Sequence, residues 1–162
     1  MLSRSRSWLA LVLVLLLASC GFQLRGQAQL PSEFGRVELA GVDIYSELGN
    51  ALRMLLEANG SQVVAEEGSA ILRILSQEFR REVTAVGSTG KAVEFRLTYR
   101  VRFRAESADG VELVAPDEVR LSRDYAYDED QVLGRNAAEE DLQRQLTREA
   151  AWLVLQRLQA AS

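Results

Sequence analysis

From Val93 to Glu106 every second residue is apolar. Val93, Phe95, Leu97, Tyr99, Val101, Phe103 and Ala105 alternate with Glu94, Arg96, Thr98, Arg100, Arg102, Arg104 and Glu106. Successive side chains of a strand point to opposite faces, so this stretch requires a strand with one buried and one polar face. A sheet that leaves one face to water is characteristically antiparallel and is covered on the other face only.

The flanking sequence supplies partners for that strand. Gly87-Ser88-Thr89-Gly90 is a turn, and Ile71 to about Val86 before it reads as a long strand. Asp109-Gly110 signals a hairpin after it. A return strand then covers roughly Val111 to Tyr127, with an edge position or bulge expected at Pro116. Upstream, Arg36 to Ala40 is a short strand ended by Gly41. Asp43 or Ser46 caps a helix that runs to about Ala58 and stops at Asn59-Gly60. Its apolar stripe is Leu48, Ala51, Leu52, Leu55 and Leu56. Asp128 with Gln131 opens a final helix from about Asp130 to Gln159, with Ala138, Leu142, Leu146, Ala150 and Leu153 as its main seam and Val154 and Leu158 beside it. The order is β-α-β-β-β-α. The fold class is α+β, a two-layer sandwich with a four-stranded mixed sheet and two helices on one face.

The N-terminus carries a different signal. Arg4 and Arg6 precede an apolar run from Trp8 to Leu17, followed by Leu17-Ala18-Ser19-Cys20. A basic start, a short apolar run and small residues form an export signal. The run is about half the ~20 residues that a membrane-spanning helix needs. The last four residues resemble a bacterial lipobox, in which cleavage exposes a cysteine that is then acylated. Residues 1–19 are thus expected to be a lipoprotein signal peptide, 20–35 a lipidated tether, and 36–162 a single domain. Two or more acyl chains give stable membrane anchoring. Gly21, and not Asp, follows Cys20, which by similarity to enteric lipoproteins favours the outer membrane. Extended, the tether reaches at most ~50 Å.

Composition narrows the function classes. There is no histidine, and Cys20 is the only cysteine. Ser-His and Cys-His nucleophile pairs and the common zinc ligands are therefore excluded. No catalytic residue, metal or cofactor is expected. The formal net charge is −4, which disfavours nucleic acid as a partner. Lys91 is the only lysine, so the remaining basic residues are arginines, whose planar forks suit phosphate and carboxylate.

Ser88-Thr89-Gly90-Lys91 matches Ser-x-x-Lys of penicillin-binding enzymes, but no helix start and no companion motifs accompany it. It also falls short of a P-loop, because Ala85 and Ala92 stand where that motif needs Gly and Ser or Thr. A hairpin turn is the simpler account. Asp128, Glu129 and Asp130 read as a helix N-terminus, where carboxylates complement the dipole. Glu139, Glu140 and Asp141 read as a solvated helix face.

Arg96, Arg100, Arg102 and Arg104 share one face of the clearest strand, with Arg120 expected across the hairpin. Two readings stand: a solvated face whose arginines pair with cross-strand acids, or a surface for a partner or an anion such as lipopolysaccharide phosphate. Antiparallel pairing also brings the turn at 87–91 and the strand-to-helix junction near 128 to one end of the sheet. Lys91 and Arg135 are expected near one another there.

Cys20-Gly21-Phe22-Gln23-Leu24-Arg25-Gly26, after the lipobox, resembles the start of the lipopolysaccharide-assembly lipoproteins of the LptE family. The Leu-rich first helix ending at Asn59-Gly60 is similar too. So are Gly90-Lys91-Ala92-Val93-Glu94-Phe95, matching a Gly-x-Ala-x-Glu-aromatic strand start, and Tyr125-Ala126-Tyr127-Asp128 leading into an acidic helix. The resemblance implies a non-catalytic outer-membrane lipoprotein that plugs and helps assemble the β-barrel LptD and contacts lipopolysaccharide in transit. It implies basic contact residues, for which Lys91, Arg135, Arg96, Arg100 and Arg102 are the candidates. Some members carry Arg where this chain has Ser88. A stand-alone glycolipid-binding lipoprotein facing the periplasm is the alternative.

Overall fold

A computed structural model describes residues 30–65, 68–88, 90–126 and 135–161. The export signal, Cys20 and the acidic group at 128–130 lie outside the described residues.

Strands β1 (Arg36–Ala40), β2 (Gln62–Val63), β3 (Ala70–Val86), β4 (Ala92–Glu106) and β5 (Glu112–Ala126) form one sheet in the order β2-β1-β3-β4-β5. Helices α1 (Glu47–Ala58) and α2 (Arg135–Gln159) complete the fold. β1 runs parallel to β2 and β3, while β3, β4 and β5 form an antiparallel meander. The α+β class and the mixed sheet agree with the sequence expectation, but the sheet has five strands instead of four. The extra strand, β2, is two residues long, too short to leave a periodicity.

Local chemistry explains the boundaries. Ser46 caps α1 by accepting a hydrogen bond at its Oγ from the Gly49 amide at 3.1 Å. Asp43 does not cap the helix; its Oδ1 accepts from the Tyr45 amide at 2.9 Å and closes the preceding turn. Gly60, with φ +88°, releases the chain after α1. Gly41 has φ +75°, and a Cβ there would lie 2.2 Å from the Ile74 carbonyl oxygen. Only glycine lets β1 end so close to β3.

The core lies between the sheet and the two helices. Leu97, Tyr99, Val101, Phe103 and Ala105 of β4 are all buried, as the period-2 pattern requires. Leu48, Leu52 and Leu56 of α1 meet Leu146, Ala150, Ala151, Val154, Leu155 and Leu158 of α2 in the same core. Leu146, Ala150, Val154 and Leu158 are buried as expected, with Leu142 and Leu153 packed against the core; the buried face widens to Ala151 and Leu155, while Ala138 is exposed. An ion pair at 3.5 Å between Arg148 and Glu47 joins the helices at the surface. Glu149 and Arg123, 2.9 Å apart, tie α2 to β5.

The packed chain also begins earlier than residue 36. Ser32–Gly35 forms a 3₁₀ turn that inserts Phe34, 1% exposed, into the core, with Leu30 packed against it. The end of the expected tether packs into the folded domain. Pro116 falls where β4 and β5 slip register, between Phe103 and Ala105. Among the described residues no helix is long and apolar enough to cross a membrane.

Candidate functional site

The sheet face turned away from the helices is a ladder of charged side chains. Pairing across β3, β4 and β5 gives rows Glu82–Arg96–Asp124, Arg80–Thr98–Ser122, Glu78–Arg100–Arg120 and Ser76–Arg102–Glu118. The bulge at Leu75 keeps this register, because it shifts β3 by one residue between Ile74 and Ser76.

The arginine row divides into two kinds. Arg96 grips Asp124 as a fork, Nε to Oδ1 at 2.7 Å and Nη2 to Oδ2 at 3.0 Å. Hydrogen bonding raises the Arg96 guanidinium and lowers the Asp124 carboxyl from their ordinary ranges. Arg100 lies 3.6 Å from Glu78. Thr98 and Ser122 hydroxyls meet at 3.0 Å. These positions behave as the cross-strand pairing reading expects. Arg102 and Arg120 do not: among the described residues neither makes a hydrogen bond or ion pair. Arg120 stands directly opposite Arg100.

A second region occupies the far end of the β3–β4 hairpin. The Gly87 amide donates to the Lys91 carbonyl at 2.7 Å, and Gly90 has φ +79°. These contacts form a hairpin turn continuing into strand on both sides, with no helix for Ser88 to open. The tip is apolar around Lys91: Val83, Val86 and Val93 are all exposed.

Behind the tip, Arg81 lies on the helix-side register of β3, its guanidinium 5.0 Å from the centroid of the Phe95 ring. Arg81 Nη1 donates to Glu139 Oε2 at 3.1 Å, and the Tyr125 hydroxyl donates to the same oxygen at 2.8 Å. Hydrogen bonding with Tyr125, then with Glu139, raises the Arg81 guanidinium above its usual range. Burial, then the bond to Glu139, raises the Tyr125 phenol. Glu139 is thus a structural tie and not part of a solvated helix face. Arg81 did not stand out in the sequence, although a charge at an apolar register position was a usable signal.

The candidate contact residues therefore occupy separate places. Arg96, Arg100 and Arg102 line one face. Lys91 sits in the tip, eleven residues from Arg102 and so ~36 Å along the strand. No single headgroup spans that distance. α2 begins at the tip end, since Glu139 meets Arg81 there. The side chain of Arg135 and all of Cys20 lie outside the described residues.

Comparison with known proteins decides the family. A lipopolysaccharide-assembly family model, LptE, matches residues 34–158. The chain belongs to the LptE family. A relative from Photorhabdus laumondii, an LPS-assembly lipoprotein LptE, is 29% identical over 148 residues, covering 90% of this chain and 80% of its own. The solution structure of lipoprotein B from Nitrosomonas europaea superposes with a TM-score of 0.71 at 29% identity, over 86% of this chain and 91% of that one. The crystal structure of rare lipoprotein B from Shewanella oneidensis gives 0.66 at 26% identity, over 75% and 91%. The LptE match spans α1, the whole sheet and nearly all of α2, so the charged face and the tip both fall within the matched residues.

Proposed function

We propose that this lipoprotein is a non-catalytic plug and assembly partner of an LptD-type outer-membrane β-barrel, anchored through Cys20 and reached from the periplasmic side, and that it contacts lipopolysaccharide on its way to the surface. The observation that carries this reading is the LptE-family match over residues 34–158. The uncovered, charged sheet face supports it. A polar barrel lumen offers hydrogen bonds and little apolar surface, and the ladder of Arg, Glu, Asp, Ser and Thr offers the same.

The tip supports the lipid contact. A lipopolysaccharide presents acyl chains beside phosphates. Exposed Val83, Val86 and Val93 beside Lys91 present apolar surface with a cation. Arg135 is the second cation assigned to that end. Arg96 is occupied by Asp124, so its contribution is to hold the sheet. Arg102 keeps its donors for a ligand or for the barrel wall.

The test is a detergent pull-down of the tagged lipoprotein from its own outer membrane. Near-equimolar recovery of a large β-barrel is expected. Recovery of the anchored protein alone would transfer the reading to the stand-alone glycolipid binder. Lys91→Ala and Arg135→Ala are expected to weaken lipopolysaccharide binding while leaving the barrel bound. Changing Arg96, Arg100 and Arg102 together to Glu should disturb barrel or lipopolysaccharide binding; if both survive, the functional reading of that row is wrong.

A further inference from the structure

The open face holds charges of both signs around one cleft, where, among the described residues, Arg100 and Glu78 pair at 3.6 Å while Arg102 and Glu118 do not pair. About 320 Å³ in volume, it is lined by Ser76, Glu78, Arg100, Arg102 and Glu118. Arg102 and Glu118 are direct partners across β4 and β5, yet among the described residues their side chains form no ion pair. Arg120, beside them, also makes no hydrogen bond or ion pair among the described residues. Like charges are stacked on this part of the sheet as well: Arg100 faces Arg120, and Arg73 faces Arg104. Such pairs are destabilising, and Glu78, 3.6 Å from Arg100, offsets only one of the charges in the first pair. Arg104 is held at one Nη by Glu106 at 3.1 Å, but the Nε atoms of Arg73 and Arg104 are buried without a hydrogen bond. Arg73 and Arg104 form the next rung and do not line the cleft, so they add positive potential beside it and no contact within it.

We propose that this cleft binds a phosphoammonium headgroup, a phosphate joined by a short link to a primary ammonium. The arginine fork of Arg102 suits the phosphate oxygens, and Arg120, opposite Arg100 at the cleft's margin, adds a second positive charge. The three donors of an ammonium match Glu118, Glu78 and the Ser76 hydroxyl. A bare phosphate is repelled by Glu78 and Glu118, and a bare cation by the arginines, so a ligand carrying both charges fits best. A two-carbon link keeps the charges within about one interstrand spacing, ~4.8 Å, the separation of neighbouring residues along one rung of the ladder.

The location agrees. β1 lies beside Ala70–Arg73 at the start of β3, so the cleft is in the half of the sheet nearer the N-terminal entry of the domain. The proposal rests on the lipid-contact part of the function above, not on the barrel.

The full chain, purified in neutral detergent, is titrated calorimetrically with soluble O-phosphoethanolamine, inorganic phosphate, and micelles of short-chain phosphatidylethanolamine or phosphatidylcholine. The ethanolamine lipid is expected to bind at least about fivefold tighter than the choline lipid, whose quaternary ammonium donates no hydrogen bond. Fivefold corresponds to ~1 kcal/mol, the scale of an exposed ion pair. Glu118→Gln should abolish the preference, and Arg102→Gln should weaken both lipids. Circular dichroism controls for folding, and either variant alone suffices. Binding of the soluble amine as well as the micelle supports a headgroup site; binding of the micelle alone, with the Glu118 effect intact, supports a site read on a lipid surface. Equal affinity for the two lipids, an unchanged preference in Glu118→Gln, phosphate binding as tight as phosphoethanolamine, or no saturation would overturn the proposal. Barrel recovery is scored separately: a headgroup preference without a barrel refutes the plug reading only.

Discussion

Phe34→Ala tests whether the segment before β1 belongs to the folded domain. The ring is 1% exposed and joins the main core cluster, with Leu30 packed beside it. A buried aromatic side chain removes roughly 150 Å² or more from water. At ~25 cal/mol per Å² that is about 4 kcal/mol of transfer free energy. Phenylalanine-to-alanine changes in cores cost about 3–5 kcal/mol. Phe34 sits in a short 3₁₀ turn at the start of the packed chain, so part of the space can close by movement of the turn. We expect a loss near the lower limit, ~3 kcal/mol. For a domain of this size that lowers Tm by roughly 10 °C. Urea unfolding followed by circular dichroism measures the free energy, and a thermal melt gives the shift. Glu33→Ala is the control: it is exposed, its carboxylate accepts from Ser32 at 3.2 Å, and a surface change of this kind stays within ~0.5 kcal/mol. A Phe34→Ala loss below about 1 kcal/mol would refute the burial and return residues 30–35 to the tether.

Gly41→Ala should destabilise the fold by well over 2 kcal/mol, because it combines a positive φ with backbone overlap at the Ile74 carbonyl. Gly60→Ala, with φ +88° but open space, should cost only ~1 kcal/mol by the same unfolding assay. The Asp124 carboxyl is held low by hydrogen bonding to Arg96. Its folded value lies below its unfolded one, so the pair's stabilisation is present above about pH 4 and disappears as pH falls through the folded value. In Arg96→Gln the Asp124 titration followed by NMR should move upward; an unmoved titration would rule out the fork. Burial pushes the Tyr99 phenol up to about 12. The unfolded chain then ionises first, near pH 10, so stability should fall as pH rises above 10, and Tyr99→Phe should flatten that loss in alkaline unfolding curves.

The three-stranded meander was readable because burial on one side of a sheet leaves a period of two, and β4 carries that period without a break. The helices were readable for a similar reason: Leu48, Leu52 and Leu56 recur on one face, and Ser46 and Gly60 mark the ends. The family was readable from short motifs in order, which the match over 34–158 supports. β2 was not readable, since two residues carry no period. Nor was the burial of Phe34, a single aromatic among polar and turn residues whose fate depends on the core it meets.

Sequence alone established that four arginines share one face of β4, because pleating assigns alternate residues to alternate faces whatever surrounds them. It could not say which of them are occupied. That depended on register: the bulge at Leu75 and the slip near Pro116 set Asp124 beside Arg96, Glu78 beside Arg100, and Arg120 opposite Arg100. Nor could it link Arg81 to Glu139, 58 residues apart, since their meeting depends on how α2 lies across the sheet. A strand's faces follow from local geometry; the partners found there follow from long-range packing, because only the folded chain brings distant charges within the few ångströms over which they pair.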